Sequence, residues 1–75
     1  VNLSGSQIQA LRLIAEGKTN QQIAEIRNRS LPATESLVKR TLEVLGIPAN
    51  ASINGRVKAA SEFVAKNARP RQVGD

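Results

Sequence analysis

The sequence lacks the side chains on which most enzymes and metalloproteins depend. Its 75 residues include no cysteine, so neither a disulfide framework nor a thiolate metal site can hold the fold. There is no histidine either, which removes the usual general base and a common metal ligand. We therefore expect a non-enzymatic protein without a metal or other cofactor. The acidic residues support this expectation, because they form no close pair in the sequence: Glu16, Glu25, Glu35, Glu43, Glu62 and Asp75.

Long apolar runs and methionine are also missing. Without an apolar run or a signal-peptide pattern, the chain is expected to be soluble and cytoplasmic and to have no membrane partner. Because there is no starting methionine, we expect the sequence to be a piece of a longer protein. The length leaves room for one domain and no second core.

Capping signals predict the first two helices. Ser4 and Gln7 have the spacing of a capping box, and Gly17 suits a left-handed C-cap, which together predict a helix over residues 5–16. The same box recurs at Thr19 and Gln22, so a second helix is predicted to follow after a short connection. The residues expected to face the core are Ile8, Leu11, Ile14 and Ala15 of the first helix and Ile23, Ala24 and Ile26 of the second.

A turn and a third helix follow. Asn28, Arg29 and Ser30 suit a turn in which Asn28 adopts a positive φ, and Ser30 with Pro32 marks the start of a helix over about 31–45. Two helices joined in this way form a helix-turn-helix unit. The residues at core spacing are Thr34, Leu37, Val38, Thr41, Leu42 and Leu45, and those on the opposite side are Glu35, Ser36, Lys39, Arg40 and Glu43.

The last predicted helix ends near residue 66. Gly46 and Pro48 end the third helix, and Ser52 and Asn54 are both plausible caps for a helix that begins at residue 53 or 55. Its apolar side is Val57, Ala60, Phe63 and Val64. The sequence thus predicts an all-α fold: a compact four-helix domain over residues 1–67 that contains a helix-turn-helix, followed by a mobile tail over residues 68–75.

Positive charge is concentrated in the second part of the chain. The net charge is +5 and the isoelectric point is near 10.9. Charges cancel as far as Ile26, whereas Arg and Lys outnumber the acids from Arg27 onward. A polyanion is the simplest partner for such a distribution.

Two motifs are similar to those of one known family. The segment LSGSQIQALRLIAEGKTNQQIA is similar to the family's opening pattern, L-T-x-R-E-x-E-V-L-x-L-x-A-x-G-x-S-N-K-E-I-A, and residues 45–47 are similar to its closing L-G-V. On these motifs, the chain from Leu3 to Ile47 resembles the DNA-binding domain of LuxR-type transcription regulators. The resemblance implies double-stranded DNA as the partner, with the third helix in the major groove. It also implies pairing of two copies through the fourth helix and a sensing or receiver domain elsewhere in the longer chain.

The resemblance and the helix positions assign candidate contacts to DNA. Lys39, Arg40 and Ser36 are the candidates for base edges, and Glu35, which replaces a basic residue of the family pattern, is expected to select against some sequences. The other candidates are expected to contact the sugar-phosphate backbone: Arg27 and Arg29 in the turn, Thr19, Asn20 and Gln21 at the start of the second helix, and Arg56 and Lys58 in the fourth. For Thr19, Asn20 and Gln21, simple helix capping is at least as good an interpretation, and it does not exclude phosphate binding. For Arg56 and Lys58, a simple solvated surface is an equally good interpretation.

Two other functions are consistent with the same pattern. The promoter-reading helix-turn-helix of sigma factors shares it, although residues 45–47 and the helix that follows favour the LuxR type. A protein-interaction module on the same scaffold would account for Glu35 and for a loop before the fourth helix that is longer than in the family. Affinity for DNA that falls with salt separates this second alternative from a DNA-binding domain.

Overall fold

A computed structural model of the chain describes residues 3–48 and 50–67. This part of the chain is helical, without strands, which confirms the predicted all-α class, and none of its helices is long and apolar enough to cross a membrane. The predicted tail over 68–75 lies outside the described residues. The four helices are α1 (Gly5–Ala15), α2 (Asn20–Arg27), α3 (Leu31–Val44) and α4 (Ile53–Asn67).

Both predicted capping boxes are present. The Ser4 hydroxyl accepts a hydrogen bond from the Gln7 amide at 3.1 Å, and the Ser4 amide donates to the Gln7 side chain at 2.9 Å. Thr19 and Gln22 repeat the arrangement at 3.1 and 2.8 Å. Each box satisfies backbone donors that have no partner inside the helix, and so it sets where α1 and α2 begin.

The turn between α2 and α3 has the predicted geometry. Asn28 is left-handed, with φ 56° and ψ 49°, and the Arg29 amide donates to the Ala24 carbonyl oxygen at 2.9 Å. The Ser30 hydroxyl then accepts from the Ala33 amide at 3.3 Å and caps α3. The left-handed residue ends α2 and changes the direction of the chain, and α3 begins three positions later at Leu31.

Ser52 is the cap of α4. Its hydroxyl accepts from the Gly55 amide at 3.0 Å, and its carbonyl oxygen accepts from the Arg56 amide at 2.9 Å. Of the two predicted starts, the structure therefore has the earlier one, at Ile53.

α1 lies at the centre of the packing, because it contacts both α3 and α4, while α2 packs against α3. As predicted, α4 turns its apolar side inward: Ala60 is fully buried, and Phe63 and Val64 are half-buried against the core. The buried hydrophobic cluster comprises Leu11, Ile14, Ile23, Val38, Leu42, Ile47 and Ala60.

Two isoleucines predicted to face the core do not. Ile8 is 41% exposed and Ile26 is 52% exposed. Each lies about a third of a turn from the centre of the buried stripe of its helix, at 3.6 residues per turn. Ala10 occupies the buried position in α1, and Arg27 is the residue that follows Ile23 by one turn in α2.

Candidate nucleic-acid interface

One side of α3 is open to solvent along most of its length. We call Glu35, Ser36, Lys39 and Glu43 the outward stripe; all four are exposed, as is the neighbouring Arg40. Neither Lys39 nor Glu35 makes a side-chain hydrogen bond or ion pair within the described part of the chain. Their charged groups are therefore available to a partner.

The side of α3 opposite the outward stripe is packed against the core and fixes the position of the helix. Thr34, Val38, Thr41 and Leu42 are buried, and the Thr41 hydroxyl donates to the Leu37 carbonyl oxygen at 2.8 Å. A helix anchored in this way presents its outer side chains from a rigid backbone, which favours specific recognition.

Arg27, a predicted phosphate contact, links α2 to α1. Its Nε donates to Gln9 Oε1 at 2.9 Å and its Nη2 donates to Ser6 Oγ at 3.2 Å. The side chain is half-buried. A guanidinium has more N–H donors than these two bonds use, so Arg27 can still bind an anion while its position is restrained. Arg29, the other turn arginine, is exposed and makes no side-chain hydrogen bond in the described residues.

Two of the three residues predicted to contact phosphate at the start of α2 are exposed to solvent. Thr19 and Gln21 are exposed, and Gln21 Nε2 lies 3.5 Å from Glu25 Oε2. Asn20 is half-buried, and its Oδ1 accepts a hydrogen bond from Arg56 at 2.9 Å. Asn20 thus connects α2 to α4 with its side chain.

Arg56 was predicted to contact the DNA backbone or to lie on a solvated surface, and both predictions are wrong because its side chain is buried. It is only 6% exposed, and it donates from Nη1 to Asn20 Oδ1 and from Nη2 to the Lys18 carbonyl oxygen, both at 2.9 Å. Burial lowers the pKa of its guanidinium, because desolvation disfavours the charged form. Arg56 precedes the buried Ala60 by one turn of α4, which turns it inward. Lys58, by contrast, is exposed as expected.

Three arginines of the helix-turn-helix line a single groove between α3 and the start of α1. Arg27, Arg29 and Arg40 surround an open space of about 550 Å³, which we call the arginine groove. No carboxylate is among the described residues that line it. Sequence reasoning missed the contribution of α1, because no local signal shows that its first turn meets the turn arginines. The remaining lining residues are Ser4, Ser6, Gln7, Ala33 and Leu37.

No protein-family model, curated protein or solved structure matches the chain. Within the described ranges, no group of three or more His, Cys, Asp or Glu side chains could hold a metal ion.

Proposed function

We propose that this chain is a sequence-specific double-stranded DNA-binding domain of a bacterial-type transcription regulator acting in the cytoplasm. The observation that carries the proposal is the outward stripe: the second helix of a helix-turn-helix presents Lys39 to solvent, without a side-chain partner among the described residues, while its other side is buried. The major groove of B-DNA is wide enough to admit an α-helix, and its base edges offer acceptors to a cationic side chain.

Each residue of the outward stripe has a distinct chemical role in this proposal. Lys39 donates to the O6 and N7 acceptors of guanine, and the Ser36 hydroxyl can donate to or accept from a base. Glu35 accepts from a cytosine amino group and repels phosphate, so it excludes sequences that would place a phosphate or an acceptor opposite it. Arg40, at the edge of the stripe, is a further candidate for a base edge.

Contacts to the sugar-phosphate backbone position the domain without reading sequence. Arg27 and Arg29 are the cationic candidates in the turn, with Thr19 and Gln21 at the start of α2 as polar ones. Lys58 is an additional exposed cation on α4. With a net charge of +5, the domain should lose affinity steeply as salt is raised, because bound phosphates release their counterions.

The proposal predicts a defined loss of affinity for Lys39→Ala. On a duplex selected by the parent protein from a random pool, the substitution should weaken binding by about 1 to 3 kcal/mol, the range for a good base contact. Arg12→Ala is the matched control, since it removes the same charge from an exposed position of α1, which belongs to neither α3 nor α4. Fluorescence anisotropy titrations measure both. Equal affinities for parent and Lys39→Ala would remove Lys39 from the interface, and a pool that yields no bound duplex would refute DNA binding itself.

We further propose that two copies pair on DNA through α4, within a longer chain that carries a sensing or receiver domain. Pairing would place two α3 helices about one turn of DNA apart, roughly 34 Å. Sedimentation of the protein with its selected duplex tests this proposal, which expects two copies per duplex and half-sites spaced by one turn. A complex with one copy per duplex would contradict it.

A protein-interaction module is the second candidate, and the exposed Glu35 in the stripe and the 52% exposed Ile26 in α2 favour it. Such a module need not bind duplex DNA at any salt concentration, so the pool selection separates the two functions. A promoter-reading domain like that of sigma factors would instead use the same interface and select promoter-like duplexes.

A further inference from the structure

α3 carries two different lines of side chains that are separated around the helix axis. The outward stripe carries Lys39, whereas Ala33, Leu37 and Arg40 follow one another at helical spacing along the wall of the arginine groove. Lys39 is not part of that wall. Lys39 and Arg40 are neighbours in sequence, but their side chains leave the helix about 100° apart, so they can meet different parts of a ligand.

We propose that the arginine groove binds a phosphodiester of the DNA strand beside α3, and that Arg40 is a phosphate contact in it and not a base reader. The inference rests on the proposed function and revises one part of it, because it replaces the base-edge role of Arg40 with a contact to phosphate. In this inference Arg27, Arg29 and Arg40 contact one segment of the DNA sugar-phosphate backbone, and the first turn of α1 also lies in the interface with DNA.

The chemistry of the groove suits a phosphodiester. Guanidinium groups form paired hydrogen bonds with phosphate oxygens, and three of them face this space without a carboxylate among the described lining residues. The Arg29 and Arg40 side chains are exposed and make no hydrogen bond or ion pair in the described structure, so neither must leave a partner to bind phosphate.

The third arginine is positioned in advance. Arg27 is held by Gln9 and Ser6, so it loses less side-chain freedom when an anion arrives. Ser6 Oγ accepts from Arg27, which leaves the hydroxyl hydrogen of Ser6 free to donate into the groove. The hydrogen bonds from Arg27 to Gln9 and Ser6, which join α2 to α1, therefore also restrain the side chains that line the arginine groove.

The test compares Arg29→Gln and Arg40→Gln with Arg12→Gln, which removes an exposed arginine of α1 outside the groove. Binding to the selected duplex is titrated over a range of salt concentrations. Each groove variant should reduce the slope of log K against log salt by about 1, and should weaken all duplexes to the same degree. Arg12→Gln should leave the slope close to that of the parent. The sequence selected from a random pool by Arg40→Gln should equal that selected by the parent.

A second measurement locates the contact. Replacing single phosphates of the duplex by neutral methylphosphonates should weaken binding of the parent at one backbone segment. At that segment the same replacement should cost the Arg29→Gln/Arg40→Gln double variant less than it costs the parent, because Arg27 is the only groove arginine that this variant retains. The positions of sensitive phosphates relative to the selected bases then give the place of the groove on DNA.

Three results would overturn the inference. A changed base preference for Arg40→Gln would make Arg40 a base reader, and slopes equal to that of Arg12→Gln would remove the groove from the interface. Saturable binding of inorganic phosphate in the groove, with no effect of its arginines on duplex affinity, would assign the site to a free anion. If the parent itself binds no duplex, the proposed function fails first, and that failure is visible without any variant.

Discussion

The buried Arg56 gives the sharpest test of how this small domain is held together. Arg56→Met keeps most of the length and apolar volume of the side chain while removing its charge and both of its hydrogen bonds, to Asn20 and to Lys18. We expect the free energy of unfolding to fall, because the Lys18 carbonyl oxygen and the Asn20 side-chain oxygen lose the donors that α4 supplies.

The size of the loss follows from two opposing contributions. Each hydrogen bond from a charged donor contributes about 1.5 to 3 kcal/mol. Against these, desolvation disfavours the charged guanidinium, and Arg56 Nε is buried without a partner among the described residues, so the substitution also removes a cost. We expect a net loss of about 2 to 3 kcal/mol, a large fraction of the roughly 4 to 11 kcal/mol typical of a chain of this length.

Urea unfolding followed by far-ultraviolet circular dichroism measures the change, since the domain is helical and has a single aromatic residue. Lys58→Met is the control, because it removes a charge from an exposed position on the same helix and should change stability by no more than about 0.5 kcal/mol. A double-mutant cycle of Arg56→Met with Asn20→Ala should give a coupling energy of about 1 kcal/mol or more. Equal stability of Arg56→Met and Lys58→Met would refute the reasoning.

Two further predictions concern the helix-turn-helix. Asn28→Ala should lower the free energy of unfolding by about 1 kcal/mol in a urea titration, because Asn28 has a left-handed backbone conformation that alanine adopts poorly. Asn28→Gly should leave the stability nearly unchanged, because glycine adopts this conformation readily. Equal losses of stability in the two variants would exclude backbone conformation as the cause. Thr34→Val should raise stability by about 1 kcal/mol, because the buried Thr34 hydroxyl has no partner in the described structure. Thr41→Val, which loses a bond to the Leu37 carbonyl oxygen, should show no gain. A lower melting temperature for Thr34→Val than for the parent would contradict the prediction.

The local structure could be predicted from the sequence because its causes lie within a few residues. The capping boxes at Ser4 and Thr19 and the cap at Ser30 each join positions three apart, so residue type and spacing were enough to place the helix starts. The left-handed Asn28 was likewise predictable, since few residues other than glycine tolerate that conformation. Helical periodicity then predicted that Lys39 and Arg40 would be exposed on α3.

Only the packing of the helices decided how these elements meet. Arg56 bonds to residues 36 and 38 positions away, and Arg27 to residues 18 and 21 away, and nothing local indicates which carbonyl or side chain lies opposite a given arginine. The exposure of Ile8 and Ile26 depends in the same way on the sides that α1 and α2 turn to their neighbours. The sequence alone determined the helices and their polar and apolar sides, because these depend on short-range bonds and on helical spacing. The tertiary structure decided that the buried Arg56 joins α4 to the start of α2 while three other arginines line one groove, because this depends on the distances and angles between helices.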